Sequence, residues 1–184
     1  MGTWHGNSFF SSLLVSFVSW CLCGLPERRG YHGDEVQYHI AQYNIARLVA
    51  PLDDPRVAGF VDNLDRLNKL ADAAPGFVWR HQDENGNSTG TRVRGDPLIV
   101  INFTVWMTIE SLFEYAYRSD HVEMYRRRRE WFELLREAPL VLWWIPAGYI
   151  PSVEEGEERL DYLRAHGPTP HAFTFKQRFP SPVD

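Results

Sequence analysis

The chain has 184 residues, one domain's worth with room for a tail, and its 44% hydrophobic and 23% charged residues exclude a globally disordered or collagen-like protein. A net charge of −5 argues against nucleic acid as a partner. Two cysteines, Cys21 and Cys23, are too few for a disulfide framework or a structural zinc site, whereas the aromatic share is high, 14% with 7 Trp, and must either fill a core or line a pocket.

Residues 1–26 contain no Lys, Arg, Asp or Glu, and Phe9 to Leu25 is nearly apolar. That run sits at the lower edge of the roughly 17–25 residues a membrane helix needs. Only His5 could serve a positive leading region, and Trp20 before Cys21 makes a poor cleavage or lipidation site. Residues 1–35 therefore read as a leader, disordered or weakly membrane-like, ahead of a folded domain over 36–182. The expected location is the cytoplasm. The alternative is an anchor through residues 9–25 that leaves Arg28, Arg29 and the domain on the cytoplasmic side.

From Tyr38 strands and helices alternate. Tyr38–Asn44 reads as a strand. Asp53-Asp54-Pro55 starts a helix, with an acidic cap and proline in the first turn. Phe60, Leu64, Leu67 and Leu70–Ala71 recur at helical spacing until Pro75-Gly76 stops them. Phe77–Gln82 is a second strand. Within the turn cluster 83–87, Asn85-Gly86 is the strongest hairpin signal. Leu98–Trp106 is the clearest strand, followed by predicted helices over Thr108–Tyr117 and Ser119–Leu135 and a fourth strand over Leu140–Ile145. Ser152-Val153-Glu154-Glu155 is a capping box for a helix running to about Ala165. Gly167-Pro168 ends that helix, and Phe173–Phe175 adds a short last strand.

The order β-α-β-β-α-β plus a C-terminal helix predicts an α+β, ferredoxin-like antiparallel sheet. By period two, Ile99, Ile101, Phe103 and Val105 form an apolar face suited to the helices, while Val100, Asn102, Thr104 and Trp106 form a mixed one. Gln42 and Asn44 share a face with Ile40, and Arg80 shares one with Val78 and Gln82. The mixed face, placed away from the helices, is either half-exposed, a dimer interface or the wall of a cavity.

The run Trp106-x-x-x-Glu110-Ser111-Leu112, continuing to Tyr117, Ser119 and His121, resembles the strand-helix-His segment of antibiotic-biosynthesis-monooxygenase-type domains, members of the dimeric α/β-barrel superfamily. More closely, residues 38–48, 75–80, 105–132, 142–148 and 164–175 resemble the domain-of-unknown-function family numbered 3291 over about residues 36–182. The resemblance implies a homodimer whose two sheets close into a barrel, with a small-molecule pocket between sheet and helices in each protomer. It implies no bound cofactor. Haem in particular is disfavoured, because the Trp and His of the haem-degrading branch fall at Tyr115 and Tyr125 here.

His121 follows Ser119 at a helix start, where the helix dipole favours a neutral imidazole able to act as a base. Arg80 and Asn102 could polarise an enolate or phenolate oxygen. Asn44, Thr104, Trp79, Trp106 and His39 are the candidate substrate contacts. The histidines show no ligand spacing, so no metal is expected, and glycine-rich nucleotide loops and a hydrolase elbow are absent. Arg126–Arg129 reads as a solvated face offset by flanking acids, and Trp131 as core. These features predict a monooxygenase- or isomerase-like enzyme for an aromatic or polyketide-like metabolite. The alternative is a non-catalytic ligand-binding or accessory homodimer.

Overall fold

A computed structural model describes residues 37–118 and 126–182. The expectations placed on residues 1–35, on Cys21 and Cys23, and on His121 lie outside these residues. Four strands form one sheet: β1 (Tyr38–Arg47), β2 (Phe77–Arg80), β3 (Ile99–Trp106) and β4 (Leu140–Pro146). Their order is β2-β3-β1-β4 with every neighbour antiparallel. Each crossover, from β1 to β2 and from β3 to β4, skips one strand, which is the split β-α-β arrangement of the ferredoxin-like fold. The α+β expectation is met.

Helices follow where local chemistry starts them. Asp54 accepts a hydrogen bond from the Arg56 backbone N–H and Pro55 opens a 3₁₀ turn. The expected helix is then split into α1 (Ala58–Val61) and α2 (Leu64–Asp72). α3 spans Ile109–Arg118 and α4 spans Val153–His166. Ser152 Oγ accepts from the Glu155 N–H at 3.2 Å, one arm of the expected capping box. The other arm is replaced: the Glu155 carboxylate accepts from Trp143 Nε1 at 2.9 Å and the Tyr149 hydroxyl at 2.8 Å.

Asn85-Gly86 makes a local turn, with Gly86 at φ +77°, but inside the long connection 81–98 rather than a tight hairpin. The helix expected over 119–135 has ended by Trp131. There the backbone is drawn to the β1 end, where Phe132 bridges Leu48 and the Glu133 N–H donates to the Arg47 carbonyl at 2.8 Å. The expected last strand shrinks to one bridge, Phe173 with Leu142, whose two backbone bonds are 2.8 Å each and seal the β4 edge.

The largest correction concerns the sheet faces. The crossover helices cover the mixed face. Ile40, Trp106 and Leu142 pack there with Ile109 and Leu112 of α3. The apolar face, with Ala41, Tyr43, Ile45, Phe103, Val105 and Trp143, is covered by Leu160 and Leu163 of α4. The mixed face is therefore not an outward surface awaiting a partner's sheet, and both faces are covered by this chain's own helices.

Candidate functional site

The mixed face and the crossover helices do not close on each other. Between them lies a cleft of about 570 Å³, within the ~300–1,000 Å³ of small-molecule sites. Its apolar wall includes Leu64, Leu67 and Ala71 of α2, Leu112 and Tyr115 of α3, and Phe60, Trp131 and Phe132. Gly59 lets Trp131 approach: a Cβ at Gly59 would lie 3.3 Å from the indole.

The sheet side of the cleft is polar. Antiparallel register sets Gln42 opposite Thr104 and Asn44 opposite Asn102 on neighbouring central strands. Trp106 Nε1 donates to Thr104 Oγ1 at 2.9 Å, the Thr104 hydroxyl donates to Gln42 Oε1 at 2.7 Å, and Gln42 Nε2 donates to Asn44 Oδ1 at 2.6 Å. Gln42 and Thr104 are buried, Asn44 is half-buried, and Asn102 is exposed into the cleft. Asn68 reaches the same space from α2.

Among the expected site residues, Asn44, Arg80, Asn102 and Thr104 converge on this cleft. Arg80 arrives already engaged: Nε donates to Asp72 Oδ1 at 2.8 Å, Nη2 to Asp72 Oδ2 at 3.4 Å, and Nη1 to the Gly86 carbonyl at 2.8 Å. Its fork ties β2 to the end of α2 and to the 83–87 turn. Trp106 is on the cleft side but fully buried under Phe77 and Tyr115, so it is a donor beneath the floor rather than a wall. His39 and Trp79 face the other way. His39 pairs with Ile145 and Trp79 with Val105, and Trp79 packs edge-on to Phe103 at 5.5 Å. An irregularity between Phe77 and Trp79 puts Phe77 and Arg80 on one face, which simple alternation along the strand misses.

Gln42, Asn68, Tyr115, Trp131 and His81 line the cleft without having been singled out as contacts. Asn68 had a signal: it occupies an apolar-stripe position between Leu64, Leu67 and Ala71. His81 bonds the Thr91 hydroxyl at 2.8 Å, and burial holds its imidazole below the usual value.

Burial, with Asp72 nearby, pushes the Tyr115 phenol up to about 12. The unfolded phenol titrates near ~10. The neutral folded form therefore contributes stability that is complete below pH ~10 and is lost as pH rises toward 12. Spectrophotometric titration at 295 nm should show Tyr115 among the late phenols, beside Tyr43 and Tyr149, which are also raised, with stability falling across that window. Tyr115→Phe should remove one phenol from the late absorbance change, and a variant whose late amplitude equals that of wild type would refute the assignment.

Among the described residues, no group of three or more His, Cys, Asp or Glu is placed to hold a metal ion, and no helix is long and apolar enough to cross a membrane. The model of a family described as a domain of unknown function, DUF3291, matches residues 39–184. None of the curated proteins matches the chain. SnoaB, a cofactor-independent oxygenase from Streptomyces nogalater, is similar with TM-score 0.39 and 12% identity, over 62% of this chain and 96% of that one. A protein of unknown function from Nitrosomonas europaea is similar with TM-score 0.39 and 12% identity, over 63% and 97%. A conserved protein from Methanosarcina mazei is similar with TM-score 0.39 and 16% identity, over 59% and 92%.

Proposed function

The chain belongs to the DUF3291 family, and from that premise we propose that it takes a flat aromatic or polyketide-like metabolite into the cleft. There it oxygenates or isomerises the metabolite without a bound cofactor. The observation that carries this reading is the pairing of an aromatic and aliphatic wall with a row of side-chain amides on the sheet floor. The wall suits a planar ring system, and amide N–H groups suit an oxygen on which negative charge develops.

In this reading Asn102 and Asn44 hold the enolate or phenolate oxygen. Arg80, with its fork on Asp72, positions the floor instead of binding the oxygen itself. His121 moves the proton. Thr104 and Trp106 act from below through the floor's hydrogen bonds.

A second reading, a ligand-binding protein without catalysis, is favoured by one observation. The sheet-floor groups are amides and a hydroxyl, none of which titrates near neutral pH. In either reading the domain over 36–182 forms a homodimer.

Native mass spectrometry of protein purified from its host is expected to show a retained small molecule and to report the oligomeric state. Replacing Asn102 by Leu should lower turnover of that molecule by about 10²–10³-fold while Tm stays close to wild type. A His121→Ala variant that binds the molecule without converting it supports the enzyme. Wild-type protein that binds it and never converts it leaves the second reading. Protein that retains no molecule and binds no planar aromatic compound defeats both.

A further inference from the structure

We infer that the Trp106 indole sets the hydrogen-bond polarity of the cleft floor, so that Asn44 turns its amide N–H groups, and not its oxygen, toward a bound ligand. The cleft then selects compounds that offer an acceptor oxygen, such as a carbonyl, enolate or phenolate, over those that offer only a donor. This inference rests on the reading of the cleft as a small-molecule site and specifies what that site recognises.

The direction of the relay follows from what each group can do. An indole N–H only donates, and Trp106 Nε1 lies 2.9 Å from Thr104 Oγ1. That oxygen therefore accepts, and the Thr104 proton is available for Gln42 Oε1 at 2.7 Å. With its oxygen engaged, Gln42 has its NH₂ group toward Asn44, 2.6 Å from Oδ1. Asn44 must then meet Gln42 with its oxygen, which leaves its own NH₂ as the free end.

The reversed relay fails on the same chemistry. Turning Gln42 over would aim its N–H at Thr104, which already accepts from Trp106. The threonine proton would then lose its acceptor inside the buried layer. Thr104 and Gln42 are each 4% exposed and Trp106 is fully buried, so water does not repair the defect. Asn44, half-buried at the cleft and opposite Asn102, is where the relay reaches a ligand.

The test uses the full chain and two flat tricyclic probes of nearly equal shape: 9-fluorenone, which only accepts, and carbazole, whose N–H only donates. Calorimetric titration is expected to show wild type binding 9-fluorenone at least about tenfold more tightly than carbazole, as a site built around one hydrogen-bond polarity should. Gln42→Glu supplies a carboxylate that only accepts, draws the Asn44 NH₂ inward and turns its oxygen to the ligand. The ratio should fall by about tenfold or invert. Because a buried carboxylate can prevent folding, Asn44→Asp at the half-buried end gives a second reading with the same expected sign.

A residue with only a structural role would shift both affinities together and leave the ratio alone. An unchanged ratio in folded variants that still bind, or no preference in wild type, overturns the relay while the cleft stays a binding site. If wild type binds neither probe, the small-molecule reading fails and the inference fails with it.

Discussion

Replacing Trp106 by Ala should destabilise the fold by about 4 kcal/mol and lower Tm by roughly 8–16 °C, within the range for truncating a large buried aromatic. Trp106 ends β3 on the cleft side and is fully buried. Phe77 meets its ring edge-on at 5.3 Å and Tyr115 lies against it at 5.0 Å. In register it stands beside Ile40 of β1 and Phe77 of β2, so one side chain joins three strands to α3. Removing it opens a void that rigid backbones on three sides cannot collapse, and the loss should approach the upper part of the range. Trp106→Phe separates packing from polarity. It keeps an aromatic ring but deprives Thr104 of its donor, at a cost of about 1–2 kcal/mol. Thermal and urea denaturation of the two variants measures both terms. A Trp106→Ala shift below about 3 °C would show that the ring is not structural.

Gly156→Val should cost about 3 kcal/mol, near the top of the usual range for overpacking. At Gly156 α4 packs close against the apolar sheet face. A Cβ there would lie 2.6 Å from Tyr43 Cδ2 and 2.8 Å from Cγ. The Tyr43 ring cannot retreat, because it is fully buried and edge-on to Phe103 at 5.3 Å. The helix must lift instead, and with it Leu160 and Leu163. A Tyr43→Leu background makes room, so the same Gly156→Val change should cost at least about 1 kcal/mol less there. Equal costs in both backgrounds would place the clash elsewhere. Burial also pushes the Tyr43 phenol up, so it stays neutral, and among the described residues its buried hydroxyl has no hydrogen-bond partner.

These variants probe the two layers that sequence reading separated imperfectly. Strand positions were legible because alternation survives in the chain: Leu98–Trp106 was expected and Ile99–Trp106 is found. Helix starts were legible where a side chain serves as a cap, at Asp54 and Ser152. The end of the helix expected over 119–135 was not, because a distant strand end draws Phe132 and Glu133 away. Trp131 reads as core in sequence and is indeed buried, yet it also lines the cleft, since Gly59 opens the space its indole occupies.

The candidate site divides in the same way. Asn44, Asn102 and Thr104 were recoverable as polar residues at alternating positions. His39 and Trp79 were misplaced against the alternation itself: His39 is out of phase with Ile40, Gln42 and Asn44, and Trp79 with Arg80, so each lies on the opposite face.

By itself, then, the sequence determined the order of the elements, the sharing of faces within each strand, the capped helix starts and a central polar row bordered by aromatics. Those properties are local, set by side-chain period, caps and turns. Only the tertiary structure decided that α2 and α3 sit on the polar row while α4 takes the apolar face, that Arg80 is held by Asp72, and that Trp106 donates upward through Thr104 and Gln42. A strand's two faces are equivalent by periodicity. Which helix covers each of them depends on strand order and crossover, where residues far apart in the chain first meet.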